Sequence, residues 1–133
     1  DPGSAKINQI IESLPSSYFH VLPSMRFEYF SILLQNSFAL IGNSSAGVRE
    51  APFLGVPSLN VGTRQTNRST CSSITNISAY DRHAIFDFFV NQWGKRHIRD
   101  FSFGGGESIH EFSKILQTRS LFEGPTQKVF YDG

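Results

Sequence analysis

One stretch of the chain, Ile41 to Arg68, gathers residue types that can do chemistry together: IGNSSAGVREAPFLGVPSLNVGTRQTNR. The chemistry is recognition of an anion and a diol. Gly42-Asn43-Ser44-Ser45 is turn-forming, and Ser44 or Ser45 can cap a helix that begins near Gly47. Backbone N–H groups and serine hydroxyls at such a turn donate to phosphate oxygens. Glu50, one turn into that helix, offers a carboxylate that accepts hydrogen bonds from a ribose diol. Arg64 and Arg68 bring positive charge in the loop that follows, whereas Arg49 reads as an ion-pairing helix residue. Ser44, Ser45, Glu50 and Arg64 are therefore the principal binding candidates, with Asn43, Gly47 and Arg68 beside them. The stretch matches neither GxGxxG nor GxxxxGK-S/T, and a Gly/Ser turn that serves only as a helix cap is the competing reading.

The elements that must position these residues are α/β in pattern. Phe38-Ala39-Leu40-Ile41 is a short apolar run closed by Gly42, which fits a buried parallel strand. The central helix is short because Pro52 and Gly55 punctuate it, and Val56 to Val61 reads as the next strand. In an open parallel sheet, ligands bind at the carboxyl ends of the strands, so the loops after both strands are expected to face one crevice. Upstream, Ser4 is expected to cap a helix bearing Ile7, Ile10, Ile11 and Leu14 that Pro15 stops. Tyr18 to Leu22 reads as a strand, and Ser24 as the cap of a helix near Met25 to Gln35. Downstream, Cys71 to Ile77 reads as a short strand. A helix from about Tyr80 to Trp93 should turn Ile85, Phe88 and Phe89 inward, with Gly94 ending it. Lys95 to Phe103 reads as loop and Gly104-Gly105-Gly106 as a flexible joint. A further helix carries Ile109, Phe112, Ile115 and Leu116, and a short one is expected after Pro125.

GNSSAGVREAP followed by GVPSLNVGTRQTNR resembles the C-terminal domain of the hydrolysing UDP-N-acetylglucosamine 2-epimerases of sialic acid and related sugar synthesis. The resemblance extends to both ends. Asp1-Pro2-Gly3-Ser4 is similar to the close of that family's Asn-x-Asp-x-Gly-Ser segment. Phe103-Gly104-Gly105-Gly106-Glu107-Ser108 with Phe112 is similar to its FGDGNS…F segment, with Gly105 in place of Asp and Glu107 in place of Asn. Gln127-Lys128-Val129-Phe130 resembles its QK-x-F. The resemblance implies a Rossmann-like three-layer parallel sheet, the C-terminal half of a GT-B-type enzyme with its site between two halves. It implies that residues 1–133 are one UDP-binding domain whose N-terminal catalytic half lies outside the chain, so no catalytic residue is expected here. It further implies a UDP-sugar substrate, no cofactor or metal, a cytoplasmic location and a homo-oligomeric parent.

Composition sets the remaining bounds. The chain has 133 residues, 39% hydrophobic and 17% charged, which supports a packed core. A formal net charge of +1 argues for neither nucleic acid nor an anionic membrane surface as partner. No apolar run approaches membrane-spanning length. The single Cys71 excludes an internal disulfide, and the scattered His20, His83, His97 and His110 lack metal-ligand spacing. Two other function classes fit the same residues: the nucleotide-sugar half of a GT-B glycosyltransferase, and a non-catalytic nucleotide-binding module.

Overall fold

The computed structural model describes residues 4–22 and 24–118. Its centre is a three-stranded sheet in which β2 (Ser58–Val61) lies between β1 (Leu40–Gly42) and β3 (Ile74–Ile77), parallel to both. Gly42, Asn60 and Asn76 are aligned across the sheet. The α/β class read from the sequence is what the chain adopts. The segments Asp1-Pro2-Gly3 and Gln127-Lys128-Val129-Phe130, and the helix expected after Pro125, lie outside the described residues.

Both faces of the sheet are covered, as parallel strands require. On one face α2 (Phe27–Gln35) and α3 (Glu50–Leu54) bring Leu34 and Ala51 against Val56, with Phe30, Leu40 and Leu54 around them. On the other face α4 (Arg82–Asn91) packs Phe88 on Leu59 and Ile77, with Ala39, Val61 and Ile85 at the margin. Complete burial of a side chain such as Phe88 contributes about 1.5–3 kcal/mol. Asp81 caps α4, its Oδ1 accepting from the Ala84 amide at 3.0 Å. Two further helices, α1 (Ser4–Glu12) and α5 (Ser108–Gln117), keep most of their apolar residues exposed, including Ile7, Ile10, Ile109, Phe112, Ile115 and Leu116. Among the described residues no helix is long and apolar enough to cross a membrane.

Several local expectations are corrected. Tyr18 to Leu22 is not a strand: the amides of Tyr18 and Phe19 both donate to the Pro15 carbonyl, at 3.0 and 3.1 Å, and close a turn instead of joining a ladder. The third strand of the sheet is β3. Arg26, not Ser24, flanks α2, and no side chain caps it. Phe89 is exposed and leans on Trp93, with ring centroids 5.2 Å apart, because Phe88 already fills the inward position. The helix expected to begin near Gly47 is two pieces, a 3-10 turn at Ser45–Gly47 and then α3. A continuous helix would press the Pro52 ring into the carbonyl of Val48, so the chain breaks there and restarts with Pro52 in the first turn of α3.

The segment after α4 is fastened to the end of α3. His97 donates its amide to the Gly55 carbonyl at 2.9 Å, and Asp100 its amide to the Pro52 carbonyl at 3.0 Å. The Ser102 hydroxyl, then the Ser102 amide, donate to the Asp100 carboxylate and hold it below its ordinary range. A carboxyl depressed in this way stabilises the folded turn above its unfolded value. That contribution disappears as the pH falls through the folded value. Gly55 has φ +69°, and a Cβ there would stand 2.4 Å from the His97 carbonyl oxygen. Gly55→Ala is thus expected to cost at least about 2 kcal/mol in a denaturant titration. Gly94→Ala should cost less, because its Cβ would meet the movable Phe38 ring and not backbone. Equal midpoints for wild type and Gly55→Ala would refute the close approach.

Candidate functional site

The loops after β1 and β2 meet, as the crevice argument expects. Buried Gln65, from the second loop, donates Nε2 to the Asn43 carbonyl of the first at 3.0 Å. Its Oε1 accepts from Arg68 Nη1 at 3.2 Å. One amide side chain therefore ties Asn43 and Arg68 together. Residue type does not single out Gln65, since a glutamine in a polar loop gives no signal of burial.

Below this tie the serine turn is anchored to the sheet. Ser58, fully buried on β2, donates its hydroxyl to the Gly47 carbonyl. Ser44 flanks the 3-10 turn, and its Oγ accepts from the Ala46 amide at 3.3 Å. The capping role read for Ser44 is thus present, while both serines stay exposed to solvent. Gly47 is buried, as its place against Ser58 demands.

Glu50 is the first residue of α3, not one turn inside a helix, because the break at Val48 resets the start. It lines a cavity of 380 Å³ together with Phe27, Phe53, Phe103 and Gly104. Its Oε2 is shielded from solvent and has no hydrogen-bond partner among the described residues. Such a carboxylate oxygen calls for a donor. A second cavity of 300 Å³ adjoins, lined by Ser45, Val48, Arg49, Arg68 and Phe103. It carries two guanidinium groups and no carboxylate.

Arg49 forms no ion pair among the described residues, contrary to the helix-residue reading. Its guanidinium stands over the Phe103 ring, 5.4 Å from the centroid. Phe103 comes from the segment fastened to α3, and sequence spacing gave no hint of that meeting. Arg64 is exposed in the turn after β2 and lines neither cavity. The fold thus groups Glu50 with an aromatic cavity and Ser45 with Arg68, puts Arg49 in the wall of both, and leaves Arg64 exposed outside them.

The Ser-Ser turn follows β1 and the loop bearing Arg64 and Arg68 follows β2, both at the carboxyl ends of parallel strands. The family model described as UDP-N-acetylglucosamine 2-epimerase matches residues 1–117. The chain belongs to this epimerase family.

It is 39% identical over 137 residues to the UDP-N-acetylglucosamine 2-epimerase of Neisseria meningitidis serogroup B, a match covering 99% of this chain and 36% of that protein. It is 36% identical over 86 residues to polysialic acid biosynthesis protein P7 of Escherichia coli, covering 64% and 22% of the two chains. It is 28% identical over 90 residues to the GDP/UDP-N,N'-diacetylbacillosamine 2-epimerase (hydrolyzing) of Campylobacter jejuni, covering 65% and 23%. The chain therefore spans little more than a third, or less, of the length of each of these relatives.

The Gln65 tie makes a direct prediction. Gln65→Ala leaves the Asn43 carbonyl and the Arg68 guanidinium without their shared partner, and should cost about 1–3 kcal/mol. Urea unfolding followed by far-ultraviolet circular dichroism reads this. An unchanged midpoint would show that the two loops are held together by something else.

Proposed function

We propose that this chain is the nucleotide-sugar-binding portion of a hydrolysing UDP-N-acetylglucosamine 2-epimerase, with UDP held by Ser44, Ser45, Glu50 and Arg64. Asn43, Gly47 and Arg68 complete the surroundings. The observation that carries the reading is the solvent-shielded, unpartnered Oε2 of Glu50, in the wall of an aromatic cavity beside an arginine- and serine-lined one. A nucleoside diphosphate has the matching sequence of groups: a planar base that stacks on rings, a diol that donates to a carboxylate, and an anion that takes serine and arginine donors. The family membership supports the same ligand.

In the reaction proposed for the whole protein, an acid/base pair outside this chain removes the C2 proton of the sugar. UDP leaves by anti elimination to give a glycal. Addition of water then yields the free 2-epimer, so UDP-N-acetylglucosamine and water become N-acetylmannosamine and UDP. Negative charge grows on the departing diphosphate as the C–O bond breaks. Donors placed on that diphosphate by this chain stabilise the transition state as well as the ground state. The parent is proposed to be a two-domain GT-B-type enzyme of the cytoplasm that works as a homo-oligomer, with this chain as one domain.

Two measurements test the reading. Glu50→Gln should weaken UDP binding about tenfold, since a hydrogen bond to a charged group is worth roughly 1.5–3 kcal/mol, and should change little for 2′,3′-dideoxy-UDP. Equal losses for both ligands would remove the ribose role. Incubated alone with UDP-N-acetylglucosamine, the 133-residue chain is expected to release no UDP above a buffer control. Release proportional to protein concentration would show that the chemistry does not need residues from elsewhere.

A further inference from the structure

We propose that Arg49, oriented by the Phe103 ring, is the positioning cation at the junction between ribose and diphosphate. This rests on the nucleoside diphosphate reading above. Arg49 and Phe103 are the two residues that line both the Glu50 cavity and the Ser45–Arg68 cavity. A ligand whose diol meets Glu50 and whose anion meets Ser45 and Arg68 must cross that seam, and the group of a nucleoside diphosphate at such a seam is the phosphate nearest the ribose. Arg64, the cation singled out by sequence, lines neither cavity.

The stack explains why an arginine suits the position. With the guanidinium over the ring face at 5.4 Å, attraction to the ring restricts the long side chain while its in-plane N–H fork remains free for two phosphate oxygens. No carboxylate competes for it among the described residues, although Glu50 is its neighbour in sequence. The backbone on both sides of the ring is constrained. Its segment is tied to α3 through Asp100 and His97, and Gly104 follows it at φ +107°, a conformation that L side chains rarely adopt. The residue that orients the cation thus lies far along the chain and arrives through the loop after α4.

The chain is titrated with uridine, UMP and UDP at low salt by calorimetry, as wild type, Arg49→Gln, Arg49→Lys, Phe103→Leu and Glu50→Gln. Each variant is checked for folding by thermal melting. The expected result is that Arg49→Gln weakens UMP and UDP about tenfold and leaves uridine unchanged. Arg49→Lys should recover only part of the loss, because an ammonium lacks the fork. Phe103→Leu should lower UDP affinity while keeping the charge. Uridine and UDP losing affinity equally in Arg49→Gln would make Arg49 structural and overturn the inference, and complete rescue by Arg49→Lys would overturn the role of the stack. If Glu50→Gln weakens uridine while the Arg49 and Phe103 variants bind UDP as wild type does, the inference fails and the nucleotide reading stands. If Glu50→Gln changes nothing, or wild type binds none of the three ligands, the nucleotide reading fails and the inference falls with it.

Discussion

The hydrogen bond from Ser58 to the carbonyl of Gly47 joins the most buried strand to the turn that presents the serines. A central strand covered on both faces is normally apolar, since a buried polar group without a partner destabilises the fold. β2 carries Ser58 and Asn60 instead, both almost fully buried. Ser58 is satisfied by the turn after β1, and Asn60 donates Nδ2 to Asn76 Oδ1 at 2.7 Å across to β3, while its own Oδ1 has no partner among the described residues. The polar face of β2 therefore fixes its surroundings by hydrogen-bond direction, where an aliphatic strand would fix only volume. Gly47 is buried against Ser58, and the serines, Arg49 and Glu50 follow from where that turn is pinned.

Much of this was legible in the sequence, and the reason lies in locality. β1, β2, β3 and α4 announce themselves through short apolar runs, β-branched residues and Gly or Pro boundaries, because their partners are close in sequence. The serine turn was legible for the same reason, since its Gly, Asn and Ser residues fall in one stretch. Tyr18 to Leu22 has the composition of a strand, but composition cannot say whether a neighbouring strand will receive it, and the Pro15 carbonyl takes its first amides. The split of the central helix was readable in principle, from a proline four residues after Val48. Continuous helix and 3-10 turn share the same capping signals, so position alone did not separate them.

What stayed hidden depends on side chains meeting across long separations. Nothing in a polar loop marks Gln65 as buried, and only the packed structure shows its amide spanning two loops. Arg49 has the spacing of an ordinary helix-surface residue. Its surroundings differ because His97 and Asp100 are bonded back onto the end of α3 and Phe103 lies beneath the guanidinium. The nature of the site is therefore local, while its partition into two compartments is tertiary.

The spatial order β1-β2-β3 is also the order in which the strands occur along the chain. Each pairing joins strands consecutive in sequence, so the crossover it closes stays near the shortest that a parallel pair allows. Residues 40–77 are therefore expected to open as one unit, with amides that exchange slowly. The helices α1 and α5, with most of their apolar residues exposed, are expected to open independently and exchange first. The serine turn lies in the crossover inside that unit and is bonded to β2 through Ser58, so it is expected to share the slow opening of the sheet and not the mobility usual for a surface loop.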